Sequence, residues 1–179
     1  MMSGRGKCRW VSVLLGGMLL TSTAGAADNM RLHGALVFEA CDIQTGDENQ
    51  DISLGMTPDH YFYLHQRTQG RAVNIHLVNC DTTVANNVTA TFTGTENAGL
   101  PGLLAFDAGS TAAGVAVGLE TQGGRFLPLN VAGDKTPLNS GTNVITVSAY
   151  LQGEPGALAN QSITRGAFTA TTTFQLDYD

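Results

Sequence analysis

The clearest pattern of apolar and polar positions lies at the end of the chain. Across residues 166–179 the even positions Phe168, Ala170, Thr172, Phe174, Leu176 and Tyr178 alternate with Ala167, Thr169, Thr171, Thr173, Gln175 and Asp177. That period of two is the mark of a strand with one buried face. A strand this apolar needs a partner on each edge, because a free edge invites another chain. Shorter alternations recur upstream: Met30, Leu32, Gly34, Leu36 and Phe38; Ile52 and Leu54, ending at Gly55; Val73, Ile75 and Leu77; Val88, Ala90 and Phe92; Val115, Val117 and Leu119; Ile145, Val147, Ala149 and Leu151. Gly123 and Gly124 predict a tight turn into residues 126–129. No stretch of about eleven residues carries a helical period. Residues 99–102, 107–114 and 152–161 are rich in small and turn-forming residues and read as loops. Residues 56–69, with Tyr61, Phe62, Tyr63 and His65, read as a long, partly packed connection. About seven short strands with regular turn signals predict one antiparallel β-sandwich of immunoglobulin type.

The N-terminus follows a different rule. Arg5, Lys7 and Arg9 precede an apolar run over residues 10–20, and Ala24-Gly25-Ala26 supplies small residues at a cleavage site. Residues 1–26 therefore read as a secretory signal peptide, with an apolar run too short to span a bilayer. Its removal takes three basic residues and no acidic ones, so the formal charge of the 179-residue chain moves from −6 to −9. A mature protein this acidic is a poor partner for nucleic acid or an anionic membrane surface. Export also changes the cysteine count. Cys8 leaves with the signal, and Cys41 and Cys80 remain as a single pair. In an oxidising compartment a disulfide is the expected state, closing a loop of about 40 residues for roughly 3 to 4 kcal/mol of stabilisation.

Candidate chemistry is sparse. His33 and His76 fall at outward positions of strands, and His60 and His65 stand five apart beside Asp59 without the spacing of a metal site. Asp47, Glu48 and Asp51 cluster in a solvated loop. There is no Gly-x-Ser-x-Gly elbow, no free cysteine nucleophile and no glycine-rich loop between a strand and a helix. No catalytic residue, metal site or cofactor is expected, and the chain is read as a non-enzyme.

These features together resemble the pilin subunits of the chaperone-usher fimbriae of Gram-negative bacteria, of the type 1 and P pilus kind. The family's C-terminal signature, a glycine fourteenth from the end and a penultimate tyrosine with alternating apolar residues between, is matched by Gly166, Tyr178, Phe168, Phe174 and Leu176. The segments 34–43 around Cys41 and 73–80 before Cys80 resemble the family's cysteine contexts, and residues 88–94 and 114–119 extend the likeness over the mature chain. The resemblance implies an incomplete immunoglobulin-like antiparallel β-sandwich that lacks its final strand and is completed by a donor strand from another subunit. A periplasmic pilus chaperone would first lend that strand, and the N-terminal extension of a neighbouring pilin would replace it at the outer-membrane usher, a case of β-augmentation.

Residue assignments follow from the resemblance. Residues 1–26 are the signal peptide, 27–40 the donor-strand extension and 41–179 the pilin domain. Met30, Leu32, Gly34, Leu36 and Phe38 form the donor face. Gly34, a glycine in mid-strand, marks either the close approach of another backbone or a bulge. Gly166, Phe168, Ala170, Phe174, Leu176 and Tyr178 form the acceptor strand and the surface read by chaperone and usher. The short extension and the aromatic stretch 56–69 resemble minor subunits, tip adaptors or terminators, more than rod subunits, and without an N-terminal lectin domain a two-domain tip adhesin is excluded. The protein would pass through the periplasm to a surface fimbrium and contribute to adhesion, with no host receptor implied. The alternative function is a self-sufficient secreted β-sandwich that binds a glycan or small ligand.

Overall fold

The computed structural model describes residues 39–179. The expected signal peptide, residues 1–26, and the expected donor residues Met30, Leu32, Gly34, Leu36 and Phe38 lie outside the described residues. In chain order the elements are β1 (Asp42–Ile43), α1 (Asp59–His65), β2 (Arg71–Cys80), β3 (Asn87–Thr93), β4 (Glu96–Asn97), β5 (Leu100–Leu104), β6 (Val115–Thr121), β7 (Phe126–Leu127), β8 (Ala132–Pro137), β9 (Gly141–Gly153), α2 (Pro155–Ala159) and β10 (Thr173–Tyr178). The strands form two antiparallel sheets. The larger runs β1-β2-β9-β6-β5-β4, with β7 also on β6, and the smaller is β10-β3-β8.

The alternations read from the sequence place the core. Ile75 and Leu77 of β2, Val147, Ala149 and Leu151 of β9, and Val115, Val117 and Leu119 of β6 point inward from the larger sheet; Val88 and Phe92 of β3 meet them from the smaller one. Leu77 and Val88 are fully buried at 0 % exposure, so these two positions anchor the packing between the sheets. β6 is covered on its outer face as well. Ala116 packs with Leu100 and Leu103 of β5, and the Tyr150 ring lies across Gly118, where a Cβ atom would sit 2.6 Å from its Cε2. The Arg67 guanidinium stacks 3.8 Å over that ring and pairs with buried Glu120 at 2.8 Å.

The disulfide forms as expected, between Cys41 and Cys80. The tight turn at Gly123 and Gly124 also agrees with the pattern, Gly124 N–H donating to Thr121 O at 2.9 Å. Other expectations are corrected. Residues 56–69 contain the helix α1, seven residues long and held by burial of Phe62, too short to show a helical period and dependent on packing. Residues 152–161 contain α2, with Pro155 at its start, where a missing N–H costs nothing. Residues 99–102 are not a loop, because Leu100 begins β5. Ile52 and Leu54 form no strand; Leu54 instead packs on the core. β8 was not expected, since Ala132–Pro137, with its glycine, charged residues and proline, carries no apolar alternation; it is a strand because β3 offers it an edge.

Candidate functional site

The terminal run keeps its two-residue alternation throughout, although only 173–178 form a regular strand. Residues 168, 170, 172, 174, 176 and 178 are half-buried, while every odd position from 167 to 179 is exposed. Phe168, Ala170, Phe174, Leu176 and Tyr178 all pack against the core, yet none of them becomes fully buried. Phe168 stacks on Phe106 with ring centroids 4.3 Å apart, and Phe174 lies 6.5 Å from Phe92. Burial pushes the Tyr178 phenol above its ordinary pKa, and the carboxylates of Glu39 and Asp42 push it further.

One edge of the run is paired along its length. β10 lies in register with β3, Phe174 opposite Phe92, Leu176 opposite Ala90 and Tyr178 opposite Val88. At the end, Asp179 O accepts from Asn86 and Asn87 N–H at 3.0 and 2.9 Å, and Asp179 N–H donates to Asn87 O at 3.1 Å. Lys135 of β8 pairs with the Asp179 carboxylate. Upstream of Thr173 the loop 107–113 takes over from β3. Ala167 O accepts from Thr111 N–H at 2.8 Å and Thr169 O from Asp107 N–H at 2.8 Å. Thr169 N–H donates to Ser110 Oγ at 3.1 Å, and Thr171 N–H to Asp107 Oδ1 at 3.2 Å.

All of these bonds use odd residues. In an extended strand the N–H and C=O of one residue face one edge and those of the next face the other. The even residues from Phe168 to Tyr178 therefore turn both groups to the opposite edge, where no described strand pairs with β10. The same six residues supply half-buried side chains below and a row of main-chain donors and acceptors beside them. This arrangement can bind an extended chain: hydrogen bonds would set its register, and its alternate side chains would finish burying the core.

Gly166 sits at the head of the run because the loop passes too close for a side chain. A Cβ atom there would lie 2.8 Å from both Ala112 N and the Thr111 carbonyl carbon. Asp107, Ser110 and Thr111 escaped the sequence reading, since a stretch of small polar residues carries no sign of which strand it will touch.

His33 lies outside the described residues, while Asp47, His76 and His65 have structural partners. His76 N–H donates to Asp47 Oδ2 at 2.6 Å, and its Nδ1 lies 2.7 Å from the same oxygen; the backbone bond above all holds the Asp47 carboxyl below the usual carboxylate range. His65 stacks on Tyr61 at 4.4 Å. Among the described residues no group of three or more potential ligands is placed to hold a metal ion. A cleft of about 170 Å³ between β7 and β8, lined in part by Ala90, Phe126 and Val131, is smaller than the roughly 300–1,000 Å³ of ordinary small-ligand sites. It gives no support to the ligand-binding alternative.

Fold and site thus define an antiparallel sandwich whose last strand has one edge that no described strand pairs. The family model for fimbrial protein matches residues 30–179, so the chain belongs to that family and is a pilin, a structural subunit of chaperone-usher fimbriae. It is 30 % identical to the type-1 fimbrial protein A chain of Escherichia coli (strain K12), over 93 % of this chain and 95 % of that one. It is also 30 % identical to the fimbrial adapter PapK of Escherichia coli, over 89 % of this chain and 92 % of that one. The crystal structure of the P pilus rod subunit PapA is 25 % identical and covers 79 % of this chain and 100 % of its own, with a TM-score of 0.68. Likeness to an adapter and to a rod subunit together leaves the minor-subunit expectation without a preference from either.

Proposed function

We propose that the open edge beside residues 166–178 is the acceptor site through which this pilin polymerises. The occupant would be a strand lent by a periplasmic chaperone and then, at the outer-membrane usher, the 27–40 extension of the next subunit, its Met30, Leu32, Gly34, Leu36 and Phe38 laid over the half-buried even residues. The observation that carries this reading is the coincidence of two properties in Phe168, Ala170, Thr172, Phe174, Leu176 and Tyr178: side chains only half-buried and main-chain groups turned to an edge that no described strand pairs. On this reading the role is mechanical and non-enzymatic, and the route runs through the periplasm to a surface fimbrium.

The chain lacking residues 27–38 should melt early and broadly, and a synthetic peptide of residues 28–40 should raise its melting temperature in proportion to the logarithm of peptide concentration. At a hundredfold excess over the dissociation constant the gain is about 2.7 kcal/mol. A sharp, high melting transition indifferent to the peptide would overturn the acceptor reading and return the self-sufficient sandwich to favour.

A further inference from the structure

The acceptor edge is longer than the strand that supports it. β3 ends at Thr93, and Gly94 turns away to Asn130, which accepts from Gly94 N–H at 3.2 Å and donates to Gly94 O at 3.3 Å. From that point the run 167–172 has no regular strand on its paired side. Three side chains of the loop 107–111 complete the ladder instead. Asp107 accepts from Thr171 twice, from N–H at 3.2 Å and from Oγ1 at 2.8 Å. Ser110 Oγ accepts from Thr169 N–H at 3.1 Å and donates to Thr169 O at 3.3 Å. Thr111 Oγ1 donates to Ala167 O at 3.3 Å, beside the main-chain bond from Thr111 N–H.

These side chains, together with the main-chain N–H groups of Asp107 and Thr111, thus hold Ala167, Thr169 and Thr171 in the extended conformation that β3 imposes on 173–178. Only while these odd residues stay extended do the even residues between them keep N–H and C=O aimed at the open edge. Resting on the acceptor reading above, we infer that Asp107 and Ser110 are positioning residues for donor-strand pairing. They set the register of Phe168 and Ala170 and share that of Thr172 with β3, whose Thr93 O accepts from Thr172 Oγ1 at 3.0 Å, while β3 sets that of Phe174, Leu176 and Tyr178. The acceptor edge is then two half-sites whose supports meet at Thr172, and the half at Gly166 depends on hydrogen bonds near solvent.

The test uses the mature chain, residues 27–179, with a synthetic peptide of residues 28–40, and reads amide hydrogen exchange by NMR at 168, 170, 172, 174, 176 and 178. In the unaltered chain the peptide should slow exchange at all six. In the Asp107→Ala, Ser110→Ala double variant the slowing at 168 and 170 should drop roughly tenfold, the effect of one or two lost hydrogen bonds, and that at 172 by less, while 174, 176 and 178 keep theirs. Asp107→Asn, whose side-chain oxygen still accepts from Thr171 N–H, should retain most of the slowing. Unchanged slowing at all six amides in the double variant overturns the positioning role and leaves the acceptor edge standing. An equal drop at all six also overturns it, since the effect would then be a general loosening. Absence of slowing at every amide of the unaltered chain overturns the acceptor edge itself. Should the double variant fail to fold, Asp107→Ala alone carries the same comparison.

Discussion

Gly166 is the residue whose role most depends on three dimensions. Its place fourteen from the end marked it by resemblance alone, and the structure supplies the cause, a loop backbone within 2.8 Å of where a Cβ atom would stand. Backbone atoms cannot swing aside as a side-chain tip can. Gly166→Ala should therefore cost about 1 to 3 kcal/mol, measured as a lower urea midpoint with an unchanged slope. Thr111→Ala in the same chain should rescue little, because Ala112 N remains in the way. Full recovery in the double variant would show that only the threonine hydroxyl mattered.

Among the elements, the terminal run repays close comparison with its sequence. One alternation spans residues 167–179, yet regular pairing begins at Thr173, because β3 reaches no further than Thr93. Side-chain alternation records which face is buried, and that continued without a break. The partner along each stretch was not recorded in it. β1 makes a second case. It is two residues long and has two paired positions on β2, Asp42 opposite Val78 and Ile43 opposite Leu77, with one side-chain bond from Asn79 Nδ2 to Asp42 Oδ2 at 2.9 Å, too few contacts to hold a sheet edge. The disulfide from Cys41 to Cys80, 39 residues apart in sequence, clamps this strand to the end of β2. Replacing both cysteines by serine should cost roughly 3 to 4 kcal/mol, checked by denaturant unfolding beside the intact chain. A loss below about 1 kcal/mol would mean that the strand holds without the clamp.

At the scale of the whole molecule, the smaller sheet has two outer edges of opposite character. Along β10 the edge is apolar below and regular. Along β8 the pairing with β3 is broken by a register shift between Thr89 and Thr91, Pro137 lacks an N–H, and Lys135 is drawn to Asp179. Breaks, prolines and lysines are the means by which exposed edges refuse a new strand. On the proposed acceptor reading, a subunit with one receptive edge and one extension would make an unbranched fibre. Lys135→Val with Pro137→Val should open the second edge, and electron microscopy should then show laterally associated fibres where the unaltered chain gives single ones. Single fibres from the variant would mean that β8 is guarded by something else.

The alternation by itself determined the inward faces of β2, β3, β6, β9 and the terminal run, and the expectation of an export signal over residues 1–26, which contains Cys8, singled out Cys41 and Cys80 as the disulfide pair. Those features were legible without the fold, since side chains on a strand must alternate and an expected export leaves Cys41 and Cys80 with only each other. The short helices α1 and α2, the edge strand β8 and the handover from β3 to Asp107, Ser110 and Thr111 were decided only in the tertiary structure. Asp107 and Thr171 meet across 64 residues of chain, and α1 and β8 hold their form through contacts with distant residues rather than through any local period. Which edge of the last strand is left open belongs with them, because pairing is a relation between segments and no segment carries it alone.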